Sequence, residues 1–283
     1  FIDTYQRTGM YPVELPSGLG LEAAGVVEAV GESVDYVQPG DRVAYLSMPA
    51  GAYSEQRIYD VDKLVKIPDG VGDQTAAAGL LKGLTAWYLL FRSYRAQPND
   101  WVLSYAAAGG VGLIINQWAK SLGVNVIGVV STAEKAELAK QSGCAAVVMA
   151  DAPDFVEQVK ALTDGKGAHA IYDSVGKDTF AQSLDCIRRH GTMVSYGAAS
   201  GPPDPVSISD LGKRGSIFLT RPAVFDFVTT PEDLREAAGI LFDVIESGAV
   251  NIEVNQTWPL KDAADAHRAL QARQTTGSTV LVP

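Results

Sequence analysis

The residue pattern is that of an α/β protein in which a doubly wound parallel sheet is inserted between two parts of a smaller β-rich domain. Apolar runs alternate with helical periods from Trp101 to Thr220. A turn of alanines and glycines, Ala106 to Gly112, joins the first of those runs to the first of those helices. Before Asp60 there are only short alternating runs broken by turn signals.

Residues 1–16 hold Asp3, Tyr5, Arg7, Tyr11 and two prolines, and predict a polar, aromatic loop with no capped helix. Runs at 26–30, 41–46 and 52–59, separated by Gly31, Pro39-Gly40 and Pro49-Ala50-Gly51, predict short strands of a small barrel. Glu22, an acid among small apolar neighbours, predicts an arginine partner. From Asp73 the period is helical to Leu81 and again from Leu84 to Tyr94, with a break expected near Gly83. Pro98-Asn99-Asp100 turns into the run Trp101-Val102-Leu103. Strands are then expected at 124–130, 145–149, 168–172, 192–196 and 216–220, with helices at 133–142, 155–162 and 180–187. Thr230-Pro231-Glu232-Asp233 supplies an N-cap, a first-turn proline and acids at the positive end of a helix running to about Ser247. A helix at 261–273 and a strand at 279–282 finish the chain and return to the first domain. The expected boundaries are 1–82, 83–222 and 223–283.

The turn at Ala106 to Gly112 admits two readings. Glycines allow a diphosphate to approach bare backbone while the unpaired N–H groups of the first helical turn point at it. Small residues also allow a helix to cross a strand closely, and alanines fill the early positions of the usual G-x-G-x-x-G spacing. The next strand ends in Ser131-Thr132-Ala133-Glu134-Lys135, where a dinucleotide fold presents the group that reads the adenine ribose. A carboxylate there would accept from the 2′-hydroxyl of NAD and repel a 2′-phosphate, whereas Ser131 and Lys135 would bind one, which points to NADP(H). The rival reading of Lys135 is a solvated helix residue. Tyr172-Asp173-Ser174-Val175-Gly176 and Tyr196-Gly197-Ala198 end later strands in small or polar residues, as a cofactor lying against backbone requires and as ordinary turns also do.

The chain has 283 residues, 47% of them hydrophobic, enough for two lobes with separate cores. Its net charge of -10 and lack of a Lys/Arg-rich run argue against nucleic acid as a partner. No apolar stretch reaches the ~18 residues of a membrane-spanning helix. The 2 Cys and 3 His show no metal-ligand spacing, and Cys144 and Cys186 read as small buried hydrophobes of a reducing, cytoplasmic compartment.

Taken in order, Phe1-Ile2-Asp3-Thr4-Tyr5 with Tyr11-Pro12, Gly18-Leu19-Gly20-Leu21-Glu22-Ala23-Ala24-Gly25-Val26-Val27, Gly40-Asp41-Arg42-Val43, Leu81-Lys82-Gly83-Leu84-Thr85-Ala86, Ala106 to Gly112, Tyr172-Asp173-Ser174-Val175-Gly176 and Thr220-Arg221-Pro222 resemble the medium-chain dehydrogenase/reductase superfamily. Within it the likeness is to the zinc-independent, ζ-crystallin-like quinone oxidoreductases of bacterial type. The resemblance implies a Rossmann domain inserted in a GroES-like β-barrel catalytic domain whose N-terminal part lies outside this chain. It implies NADPH as cofactor, a small-molecule quinone as substrate, hydride transfer in an interdomain cleft, no zinc, and a homodimer paired through an edge strand such as 216–220. A substrate pocket of Tyr5, Tyr11 and Asp3 is implied, with Thr85 near the nicotinamide. Ala108, Gly109, Gly110, Val111 and Gly112 are implied as the diphosphate cradle; Ser131, Lys135 and Arg273 as the 2′-phosphate holders; and Ser174, Val175, Gly197 and Arg221 as the ribose and nicotinamide side. Leu21 stands where zinc alcohol dehydrogenases have histidine in Gly-His-Glu. Two positions depart from the family pattern: Tyr105 replaces a histidine, and Met149-Ala150 replaces a phosphate-holding tyrosine. The same cofactor would also serve reduction of α,β-unsaturated carbonyls, or a crystallin-like or RNA-associated protein with little catalysis.

Overall fold

The computed structural model describes residues 1–46 and 48–283. Two compact units form, one of Phe1–Leu84 with Phe225–Pro283, the other of Thr85–Val224.

The first unit opens on α1 (Ile2–Arg7), where the sequence predicts a loop. Phe1 is its N-cap and supplies no side-chain bond, so nothing in the local sequence announces the helix. β1 (Glu22–Val26), β2 (Arg42–Leu46) and β3 (Leu64–Lys66) form an antiparallel sheet in that order. The run expected as a strand at 26–30 leaves the sheet at Val26, and 52–59 forms bends, not a strand. Arg57 explains the second difference. Its guanidinium donates to the Pro49 carbonyl at 2.6 Å and lies over the Tyr59 and Tyr45 rings at 4.6 and 5.5 Å, holding the segment by side chains instead of a ladder.

α2 (Asp73–Tyr88) runs unbroken through Gly83 and continues as a π-helical turn, Leu89–Ser93. Gly83 marks a packing contact rather than a helix end: a side chain there would collide with Leu241. A Cβ on Gly79 would likewise meet Ile252 Cδ1 at 2.6 Å.

In the second unit strands and helices alternate: β4 (Trp101–Tyr105), α3 (Gly110–Ser121), β5 (Asn125–Val130), α4 (Ala133–Gln141), β6 (Ala146–Met149), α5 (Phe155–Leu162), β7 (Ala168–Asp173), α6 (Phe180–Asp185) and β8 (Ile187–Ser195). A short helix, α7 (Ile208–Lys213), has no counterpart in the sequence reading, and β9 (Phe218–Thr220) ends the series. The six strands are parallel in the order β6-β5-β4-β7-β8-β9. Leu103, Ile127, Val129, Ile171 and Met193 are buried along the sheet against Phe155, Val159 and Phe180 of the helices. The strand order reverses between β4 and β7, and such an order leaves a crevice at the carboxyl ends of those two strands.

The chain then rejoins the first unit with α8 (Pro231–Glu246), β10 (Val254–Pro259), α9 (Ala263–Gln271) and β11 (Ser278–Val282), the last pairing with β10 in parallel. α8 begins with the expected cap. The Thr230 hydroxyl accepts the Asp233 N–H at 3.1 Å and the Asp233 carboxylate accepts the Thr230 N–H at 3.1 Å.

Glu22 finds a lysine, not the predicted arginine. Its carboxylate accepts the Leu81 N–H at 2.7 Å and the Lys82 ammonium at 3.1 Å, joining β1 to α2. The arginine of the neighbouring strand, Arg42, is already engaged with Asp73 at 2.7 Å and with the Val71 carbonyl at 2.5 Å. Replacing Glu22 by Ala leaves Lys82 with only the Ala78 carbonyl among its described partners. Glu22→Ala should therefore lower unfolding free energy in urea by about 2 kcal/mol; an unchanged midpoint would contradict the joint.

Candidate functional site

β4 delivers the chain into a tight turn at the crevice. Ala106 takes the left-handed conformation at φ 51°, the Gly109 N–H donates to its carbonyl at 2.8 Å, and the Ala107 N–H donates to Val129 of β5 at 3.1 Å. α3 then starts at Gly110 with Gly109 as an extended N-cap that has no side chain to bond the first turn. The N–H groups at the start of a helix have no intrahelical acceptor, so here they are left for water or an anion.

The packing reading of this turn holds at Gly112 and less strictly at Gly109. A Cβ on Gly112 would lie 2.5 Å from the Ala106 carbonyl oxygen and 2.7 Å from the Ala107 Cα, so Gly112 serves the helix crossing. On Gly109 the tightest contact would be 3.1 Å, with the same oxygen. Ala108 is buried within the turn and Val111 is partly buried. Asn116, which the sequence reading passed over, holds the arrangement from beneath. It is fully buried, and its Nδ2 donates to the Ala107 carbonyl at 2.9 Å and to the Ser142 hydroxyl at 2.8 Å. The available signal was a lone amide on the apolar face of α3.

At the end of β5, Ser131 is exposed and Lys135 half-buried. Thr132 between them caps α4 by accepting the Lys135 N–H at 3.3 Å. Glu134 lies in the same turn. Its carboxyl is held below the usual range by its own backbone N–H and the Thr132 hydroxyl, so a negative charge stands beside the lysine.

Across the crevice Asp173 ends β7, fully buried. Its Oδ1 accepts the N–H groups of Val175 at 2.8 Å and Gly176 at 3.0 Å, and its Oδ2 accepts the Thr179 hydroxyl at 2.8 Å. Burial pushes its pKa up, against these bonds. Ser174 and Val175 are thereby fixed in an Asx-type turn. Gly197 follows β8 and packs on that turn, where a Cβ would meet the Ser174 Cα at 2.8 Å. The Ser200 N–H donates to the Val175 carbonyl at 2.8 Å. Tyr105 is buried at the end of β4 and its hydroxyl accepts from Ser183 at 2.9 Å. Thr85 is buried in α2, and Arg221 is exposed after β9 with one guanidinium N–H donated to the Pro222 carbonyl at 3.2 Å.

In the first unit Asp3 and Tyr5 share α1, and Tyr11 packs its ring 5.2 Å from that of Tyr5. Arg273 lies in the same unit, exposed in the left-handed turn after α9 at φ 59°. Leu21 is part of the buried core. Among the described residues no group of three or more His, Cys, Asp or Glu is placed to hold a metal ion. Cys144 and Cys186 are buried and unpaired, their thiols pushed up to about 12 by burial. No helix among the described residues is long and apolar enough to cross a membrane.

Residues 1–69 match the family described as Alcohol dehydrogenase GroES-like domain, and 110–241 that described as Zinc-binding dehydrogenase. A quinone oxidoreductase of Pseudomonas aeruginosa is 51% identical over 100% of this chain and 87% of its own. Quinone oxidoreductase 1 of Escherichia coli is 47% identical over 100% of this chain and 88% of its own. The crystal structure of Escherichia coli quinone oxidoreductase complexed with NADPH superposes with a TM-score of 0.97 at 47% identity, covering 100% of this chain and 88% of that one.

The Gly112 contact can be tested directly. Gly112→Val should abolish tight dinucleotide binding and destabilise the fold by about 3 kcal/mol, because the obstacle is backbone that cannot rotate away. Wild-type stability and cofactor affinity in that variant would show that α3 has room to retreat.

Proposed function

The chain belongs to the quinone oxidoreductases of the medium-chain dehydrogenase/reductase superfamily, and from that membership we propose how its own residues divide the work. It is an NADPH-dependent quinone oxidoreductase. The observation that carries the division is the uncapped start of α3 at the reversal of strand order between β4 and β7. Bound NADPH supplies the hydride, and a quinone that takes up one hydride and one proton becomes the hydroquinone.

The turn fits the cofactor. Ala108, Gly110, Val111 and Gly112 present N–H groups and Gly109 side-chain-free backbone, with no charge, to a diphosphate, and the helix start favours the anion. Ser131 and Lys135 receive the 2′-phosphate, with Lys135 supplying the positive charge that offsets Glu134. Ser174, Val175 and Gly197 form a backbone wall that needs no induced movement, since Asp173 already bonds it. Tyr5, Tyr11 and Asp3 contact the quinone, the aromatic rings stacking and excluding water, the carboxylate accepting from a hydroxyl of the hydroquinone formed. No side chain among these is required to polarise the substrate as a Lewis acid would, because a quinone's conjugated ring spreads the incoming charge. We place the reaction outside zinc chemistry for that reason and because Leu21 stands in the ligand histidine's position.

The protein is further proposed to be cytoplasmic, in keeping with its unpaired buried thiols, and to act as a homodimer. β9 ends the parallel sheet, and its Phe218 and Leu219 are 62% and 38% exposed, an apolar edge that pairing with a second copy would cover.

Steady-state kinetics should show NADPH preferred to NADH. Lys135→Ala should raise the NADPH KM about tenfold, the scale of one charge-assisted bond, with the NADH KM unmoved, and a chelator should leave the rate unchanged. Equal use of the two cofactors by the wild type would contradict the phosphate assignment. For the edge, Phe218→Lys should convert the species seen by light scattering from dimer to monomer; a monomeric wild type would refute the pairing.

A further inference from the structure

α1 is a six-residue helix without a side-chain cap, too short to persist unaided, yet it carries two of the residues proposed to meet the quinone. Its anchorage is a chain of polar groups within the first unit that the reaction above does not use. Tyr53, from the bend after β2, donates its hydroxyl to Asp3 Oδ2 at 3.0 Å. The Tyr53 hydroxyl oxygen also lies 2.8 Å from Nε2 of His267 on α9, and His267 Nδ1 lies 3.0 Å from an Arg7 guanidinium nitrogen at the other end of α1. Arg7 also donates to Gln271 Oε1 at 2.7 Å, one turn along α9.

The order of protons in this chain is fixed by its ends. A guanidinium only donates, so Nδ1 of His267 is the acceptor and the ring is the neutral Nε2–H tautomer. Nε2–H therefore donates to the Tyr53 oxygen, and the Tyr53 proton has only the Asp3 carboxylate to go to. Surroundings agree with this order. His267 is 5% exposed, and burial followed by Arg7 holds its pKa below the ordinary 6.5. The Tyr53 phenol is pushed up by burial and by Asp3, and so keeps its proton. Gly20, at φ 84°, leaves the space the Tyr53 ring fills: a Cβ there would meet the ring at 2.5 Å. The Tyr53 and His267 rings also approach edge-on, 5.7 Å between centroids at 85°.

Because Arg7 cannot hand on a proton, the chain is no proton wire. We propose that Arg7, His267 and Tyr53 are positioning residues that hold Asp3 as an oriented acceptor and seat α1, and with it Tyr5 and Tyr11, for the quinone. This rests on the assignment of Asp3, Tyr5 and Tyr11 above.

The test uses three variants of the purified protein and one measurement on the resting wild type. Tyr53→Phe removes a single oxygen and should lower kcat for a naphthoquinone about tenfold while NADPH KM and Tm stay near wild type. His267→Gln keeps an N–H where Nε2–H stood and should retain several times the kcat of His267→Ala. Nitrogen-15 NMR of the wild type should show His267 as the neutral Nε2–H tautomer. Should His267→Ala fail to fold, Tyr53→Phe and the NMR spectrum carry the test. Wild-type kcat in Tyr53→Phe, or an Nδ1–H tautomer, would overturn the proposal. If the wild type itself reduced no quinone with NADPH, the functional reading would fall first, while the tautomer would still report on the chain of bonds.

Discussion

The constraint on which the nucleotide unit depends is the distance at which α3 passes the end of β4. At Gly112 that distance leaves no room for a Cβ, so the turn and helix meet backbone to backbone. The same closeness explains why the residues around it are small, why Asn116 can reach the Ala107 carbonyl from below, and why no side chain caps the first turn. A packing requirement and an anion-binding property thus have one origin: a helix start kept bare by sterics is a helix start with its N–H groups available.

The opposite wall of the crevice is built on another plan. There a buried carboxylate, Asp173, satisfies the N–H groups of its own turn and pins Ser174 and Val175. Its pKa is raised because the desolvation of a buried carboxylate outweighs the hydrogen bonds that favour its ionised form. One wall offers donors to a ligand and the other has its donors occupied. That asymmetry suits an elongated ligand carrying its negative charge at one place.

The parallel sheet was legible in the sequence because every strand and helix from Trp101 to Asp173 repeats its own period, and the helix Phe155–Leu162 was read to the residue. α8 was legible for a different reason, its complete capping box at Thr230. What escaped depends on partners far along the chain. α1 has no local signature, since its bonds run to Tyr53 and to α9. Residues 52–59 have strand-like alternation, yet Arg57 and the tyrosines beneath it decide their course. Gly83 reads as a breaker in isolation and proves to be a seat for Leu241. Around the crevice, the small-residue turn and Asp173 stood out as motifs, whereas the bonding roles of Asn116 and His267 did not, because they lie in distances that spacing along the chain does not record.

The first unit is discontinuous: its halves are Phe1–Leu84 and Phe225–Pro283, and the Ser278 hydroxyl reaches the Ala78 carbonyl across 200 positions. During synthesis the nucleotide unit has all its strands before the last segment leaves the ribosome, while α1, α2 and the first sheet wait for α8, α9 and the β10–β11 pair. Nascent chains stalled before Phe225 should consequently hold a folded dinucleotide fold beside an unfinished lobe, the state in which a chaperone would meet this protein.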